Sequence, residues 1–187
     1  MTEQQPYRVV ARQRGFELRR YPAHLAAEVR VEGSFSSTVD EAFRALAGYI
    51  GGANRARRGG VANAAVEPLP ADSRKIAMTS PVLQEEGERP GAYLVRFVMP
   101  AGSTAESLPE PDDPRVVVRE MPEQLAAAVR FSGRWTQRAF DERATVLGRA
   151  VTAAGLTPSG GVRYARFDPP WKPWFLRRNE VVLPVVE

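Results

Sequence analysis

The sequence predicts an α+β fold: a distorted antiparallel β-barrel or sheet built from two pseudo-symmetric halves, each ordered strand, strand, helix, strand, strand (ββαββ), with the two helices packed against it. Three observations predict it. "LAAEVRVEG" (Leu25 to Gly33) and "LAAAVRFSG" (Leu125 to Gly133) agree at six of nine positions, one hundred residues apart, so the chain carries an internal repeat. Each copy is followed by an aromatic residue, Phe35 or Trp135, and then by a stretch with helical periodicity. After each helix the pattern returns to extended chain, as the alternation of Tyr93, Val95 and Phe97 shows, and two helices are too few to cover a parallel sheet.

Taken in order, "YRVVARQ" (Tyr7 to Gln13) and "FELRRYP" (Phe16 to Pro22) read as strands ahead of the first repeat copy. The first helix, over 37–50, places Val39, Phe43, Leu46 and Ile50 on one stripe, with Thr38 and Glu41 spaced as a capping box. Residues 51–74 form a long Gly- and Ala-rich connection, after which "KIAMTSPV" (Lys75 to Val82) and "AYLVRFVMP" (Ala92 to Pro100) are the closing strands of the first half. A polar, Pro-rich loop over 100–114 separates the halves. "VVVREM" (Val116 to Met121) then leads into the second copy, and a helix over 136–153 places Ala139, Val146, Leu147, Ala150 and Ala154 on its stripe. "VRYARFDPP" (Val162 to Pro170) and "EVVLPVV" (Glu180 to Val186) complete the second half. The repeat thus covers about 7–100 and 115–187 within a single domain over 1–187.

Composition excludes several kinds of chemistry. At 187 residues the chain is long enough to bury a sizeable core without crosslinks. Cysteine is absent, which removes disulfides, thiolate nucleophiles and Cys-based metal sites, and His24 is the sole imidazole, so a multi-histidine metal site is impossible. No segment approaches the run of about 18 apolar residues that a spanning helix needs, so no membrane association is expected. The first residues, "MTEQQPYRVVARQRG", lack the apolar core of a signal peptide, and a cytoplasmic location is the expectation. The net charge of +4 and the basic run "NRARRGG" (Asn54 to Gly60) invite a nucleic-acid reading. Acidic residues are interspersed throughout, however, and nearly all the basic residues are arginine in an alanine-rich chain, so no nucleic-acid partner is expected.

One segment stands out. "DPPWKPWFLRRNEV" (Asp168 to Val181) gathers three prolines, two tryptophans, a phenylalanine, a lysine and paired arginines where no helix can form. Together with "FELRRYP", "GYIGGAN" (Gly48 to Asn54), "KIAMTSPV", "VRFVMP" (Val95 to Pro100) and "FSG" (Phe131 to Gly133), it gives the chain a resemblance, along nearly its whole length, to the SOUL heme-binding protein family. The resemblance implies a distorted antiparallel barrel of two pseudo-symmetric halves, related to the ligand-binding domains of gyrase-inhibitor-like regulators. It implies heme or another tetrapyrrole as ligand, held in an open apolar cleft beside the first helix. The implied role is carriage, buffering or delivery of heme to an unidentified acceptor.

A tetrapyrrole needs aromatic and aliphatic side chains for its flat face and cations for its propionates. Phe43, Leu46, Ile50, Met78, Trp171, Trp174 and Phe175 can supply the first, Arg44 and Lys172 the second. Arg44 and Lys172 also occupy the positions that the resemblance associates with the propionates. The chain departs from some members at Ala47 and Gly48, where a longer helix carries Met and Lys, and at Arg20, where some carry His. His24 is the remaining candidate for iron ligation. The tryptophans could instead plug the barrel, and Arg177 and Arg178 could anchor carboxylates, with Asn179 making a turn. Two other functional classes stay open: an effector-binding module without heme specificity, and a hydrolase with Glu28 or Glu32 as general base. No nucleophile and base stand at a recognisable spacing, so an enzyme is not expected.

Overall fold

The structure is a computed structural model describing residues 2–56, 66–68 and 72–186. Its main sheet has ten strands: β1 (Arg8–Gln13), β2 (Phe16–Tyr21), β3 (His24–Glu32), β4 (Val82–Glu86), β5 (Ala92–Val98), β6 (Val117–Met121), β7 (Gln124–Phe131), β8 (Thr157–Pro158), β9 (Arg163–Arg166) and β10 (Asn179–Val186). Helix α1 (Phe35–Gly51) follows β3, and α2 (Gln137–Ala153) follows β7. Strands run in the order β6-β3-β5-β4-β9-β10-β7-β2-β1, with β8 pairing β10. The sheet is open, with β6 and β1 at its edges among the described residues, so the expected barrel does not close.

That order is palindromic about the β4–β9 pair once the repeat is applied, β6 answering to β2 and β7 to β3. The two halves exchange their first strands. Instead of pairing with its neighbour β3, β2 pairs with β7, and β6 pairs with β3. The registers are equivalent: Tyr21 stands opposite Gln124, and Met121 opposite His24. Pro22 and Pro122, each placed between a first strand and the next, suit a chain that moves on to the other half rather than turning back in a hairpin.

Both helices lie on one face of the sheet. Leu25, Ala27, Val29 and Val31 of β3 and their counterparts Leu125, Ala127, Val129 and Phe131 of β7 point toward them, so the period of two in the repeat marks the core face. Helix α1 buries Phe35, Ala42, Leu46 and Tyr49, while α2 buries Phe140, Leu147 and Val151. Phe35 and Phe140 meet across the halves, with ring centres 5.7 Å apart.

Several boundaries differ from the sequence reading. Helix α1 begins at Phe35 because Ser34 caps it, exchanging hydrogen bonds with Ser37; Thr38 is buried and donates to the Ser34 carbonyl, so it is no cap. On α2, Leu147 and Ala150 pack into the core as expected, but Val146 and Ala154 are exposed, and Phe140 and Val151 take core positions that the expected stripe left out. In the first half the next main-sheet strand after α1 is Val82–Glu86, which begins at the last residue of "KIAMTSPV"; the rest of that segment supplies only short pairings, Arg74–Ile76 with Val66–Pro68 and Thr79–Ser80 with Glu3–Gln4. Asn179 lies inside β10 and is fully buried rather than turning, accepting from Trp135 Nε1 at 2.8 Å and donating to the Gly133 carbonyl at 3.1 Å. The basic run 54–60 falls largely outside the described residues; Arg55, which is described, pairs with Asp112 at 3.2 Å. No helix among the described residues is long and apolar enough to cross a membrane.

Candidate functional site

Helix α1 carries two apolar residues more than the sheet can cover. Val39 and Phe43 lie beside the buried stripe, and Phe43 remains 40% exposed while its ring meets Phe97 edge-on at 5.4 Å. They form one wall of a cavity of about 340 Å³. Met78 and Val82 line it from the first half, Trp135 and Arg166 from the second, and the loop Phe167 to Trp171 forms the opposite wall. Its volume is at the lower end of ordinary small-molecule sites.

The loop after β9 is held by its own sequence. Asp168 accepts from Lys172 Nζ at 2.7 Å and from the Arg178 backbone N–H at 2.5 Å. Burial works to raise the Asp168 carboxyl, but these two donors outweigh it and hold it below the ordinary carboxylate range. Arg177 donates to the carbonyls of Lys172, at 2.8 Å, and Pro170, with its guanidinium 4.4 Å from the Trp135 ring centre. Arg178 lies 3.9 Å from the Phe167 ring centre and donates to Glu180. The paired arginines are therefore staples: Arg178 takes a carboxylate and Arg177 takes carbonyls. Trp171, turned outward, is 83% exposed and so does not plug the sheet.

Of the residues singled out from the sequence, the cavity brings together Phe43, Met78 and Trp171. Leu46 and Ile50 are in the core at 0% and 8% exposure, because α1 presents them to the sheet. Trp174 and Phe175 lie further along the loop, 46% and 58% exposed and packed edge-on to each other at 5.6 Å, outside the cavity lining. Arg44 is exposed on α1, and its Nε donates to the Asp40 carbonyl at 3.3 Å. Lys172 points back to Asp168. Neither cation lines the cavity.

His24 is elsewhere. It opens β3 on the sheet face away from the helices and borders a separate groove with Ser103 and Met121. Its Nδ1–H donates to the Pro22 carbonyl at 2.9 Å, and Nε2 accepts from Gln5 at 3.2 Å. Burial pulls its pKa below the ordinary imidazole value, so the neutral form is favoured. Both ring nitrogens have partners, and the ring is not at the cavity. Glu28 is on the same far face, bound by Arg96 at 2.9 Å and by Arg119, and Glu32 pairs with Arg89 at 2.8 Å; neither faces the cavity as a base would.

The sequence reading missed Arg166, which is only 5% exposed. Its Nη2 donates to Gln84 Oε1 at 2.8 Å, and Gln84 is itself fixed by donating to the Phe35 carbonyl at 2.9 Å. Its Nη1 is buried without a hydrogen-bond partner. Burial pushes the guanidinium down to about 10, with the Asp40 carboxylate acting in the opposite direction. It remains a cation at neutral pH. The sequence signal was slight: in "VRYARF" the alternation puts Tyr164 and Arg166 on one face, and Tyr164 is a core residue.

The fold is of a duplicated two-helix α+β class, with an apolar cavity between α1 and the loop before the last strand. Within it, the chain belongs to the SOUL heme-binding protein family, which it matches over residues 2–184. Among solved structures, the EcmrR C-terminal domain is similar with a TM-score of 0.63 at 13% identity, covering 97% of this chain and 98% of that one. A hydrolase from Listeria innocua is similar at 0.59 and 16% identity, covering 95% and 94%. SAV2435 bound to tetraphenylphosphonium is similar at 0.51 and 8% identity, covering 91% and 93%. At these identities the likeness is one of fold. No curated protein matches the sequence.

Proposed function

We propose that the chain binds heme or another tetrapyrrole in the cavity beside α1 and carries or buffers it as cargo. The observation that carries this is the unspent apolar surface there: Phe43, Met78 and Trp171 are 40%, 37% and 83% exposed around one opening. Large apolar side chains gathered at a concavity gain by covering, at about 25 cal/mol per Å² of surface removed from water. Family membership supports the tetrapyrrole as the occupant. Part of the macrocycle would enter between Phe43 and Met78, and Trp171 would extend the flat contact outward. His24 takes no part, so apolar contact and the protein's cations supply the affinity. That suits a reversible carrier better than a site built for chemistry at iron.

The test is a titration of the purified chain with hemin at micromolar concentration, with adsorption controlled by an unrelated protein. A saturable shift of the Soret band is expected; its absence overturns the reading.

A second reading, an effector-binding module without heme specificity, is favoured by the fold shared with the EcmrR C-terminal domain and SAV2435. SAV2435 holds an apolar cation, tetraphenylphosphonium. In this chain two charged residues line the cavity: Asp168 is taken up by Lys172 and the Arg178 backbone, and the positive Arg166 repels such a ligand. Binding of tetraphenylphosphonium in preference to hemin would favour the second reading.

A further inference from the structure

Arg166 is the polar group at the cavity that the fold leaves unfinished. Other buried arginines are paired: Arg19 with Glu180 at 2.6 Å, and Arg96 with Glu28 at 2.9 Å. Arg166 forms no ion pair among the described residues, and its Nη1 has no acceptor. The rings of Phe35, Trp135 and Phe140, with centres 5.0, 5.8 and 5.1 Å from its Cζ, favour a cation but accept no in-plane hydrogen bond. Two carboxylates are nearby. Asp168, on the cavity wall, is taken up by Lys172 and Arg178, and Asp40, on the exposed side of α1, acts only at a distance. The guanidinium is held in place by Gln84, so its free edge is oriented before any ligand arrives.

We propose that Arg166 anchors an anionic group, a carboxylate or sulfonate, on an aromatic ligand whose apolar body fills the cavity. This rests on the reading of the cavity as a ligand site and adds the ligand's class: an amphipathic aromatic anion. The planar fork of a guanidinium matches a carboxylate or sulfonate, and a charge-assisted bond formed out of water is among the stronger polar contacts. An unpaired buried donor is a standing penalty that such an anion relieves and an uncharged analogue does not.

The experiment uses two probes with the same aromatic body, 8-anilinonaphthalene-1-sulfonate and the uncharged N-phenyl-1-naphthylamine, titrated by fluorescence into the full chain. The sulfonate is expected to bind at least about tenfold more tightly, and Arg166→Gln to remove that preference while leaving the neutral probe's affinity within about twofold. Arg166→Lys, which keeps the charge but loses the fork, should retain part of it. If Arg166→Gln does not fold, side-chain NMR of the wild-type chain decides: the Arg166 N–H resonances should move with the sulfonate and not with the neutral probe. Equal affinities in the wild type, a preference that survives Arg166→Gln, or unmoved Arg166 resonances would overturn the proposal. Hemin is titrated in parallel. Loss of hemin binding with the sulfonate preference intact removes the heme reading alone, and hemin binding without the preference removes the anchor alone.

Discussion

Glu180→Leu should be among the most damaging substitutions in the molecule, and the reason is local. Glu180 is 1% exposed on β10 and accepts from Arg19 Nη1 at 2.6 Å and Nη2 at 3.3 Å, and from Arg178 at 2.7 and 3.0 Å. Arg19 lies on the exchanged strand β2, with its side chain 4% exposed. Burial works to lower its pKa, but the hydrogen bonds and charges of Glu180 and Tyr21 together outweigh burial and raise it above the ordinary value. Removing one partner of a buried pair costs about 3–5 kcal/mol, chiefly because the other charge stays buried. Arg178 can turn toward Gln4 and solvent, and Arg19 keeps Glu17 at 2.9 Å, so the lower end applies, about 3 kcal/mol. For a domain of this size that is a fall of about 6–12 °C in Tm. Thermal and urea unfolding measure it. Replacing both partners, Arg19→Met with Glu180→Leu, should restore most of the loss, because no charge is then stranded. A loss under about 1 kcal/mol in the single variant, or a double variant no better than the single, refutes the reasoning.

Trp171→Ala should leave stability within about 0.5 kcal/mol, because the side chain is exposed, yet weaken hemin about 30-fold: one indole face is roughly 80 Å², or about 2 kcal/mol. Hemin titration and thermal unfolding of the same preparation check both halves. Arg44→Glu and Lys172→Glu should each weaken hemin only about three- to fivefold, an effect that fades at 1 M salt because both groups are solvent-screened and off the cavity lining; a salt-insensitive loss would place them in direct contact. The Asp168 pKa is depressed in the folded chain, so its contribution is full above about 3.9 and is lost as pH falls through the lower folded value. Tryptophan fluorescence should therefore report loosening of the loop 168–178 below about pH 4, and Asp168→Asn should show that altered signal already at neutral pH.

The repeat at Leu25 and Leu125 made the two halves legible, since its alternation marks the same core face in both copies. The stripe Val39, Phe43, Leu46 and Ile50 located α1 but could not divide itself into residues the sheet covers, Leu46 and Ile50, and residues it leaves to the cavity, Val39 and Phe43. That division depends on where the sheet ends beneath the helix. The loop "DPPWKPWFLRR" was recognisable as unusual, but its charges proved mostly internal: Lys172, Arg177 and Arg178 satisfy the loop's own oxygens and Glu180.

The sequence by itself determined the class of fold, the duplication, the absence of thiol chemistry and the family. These follow from composition, periodicity and motif, all of which are local along the chain. Only the tertiary structure decided that the halves exchange strands, that His24 and Glu28 lie on the far face, and that Arg166 is left without an anion at the cavity. Each of these turns on which residues distant in sequence meet and which partners are missing. A buried cation and a surface cation are spelled alike, and only the packing around Arg166 distinguishes it from the other arginines of the chain.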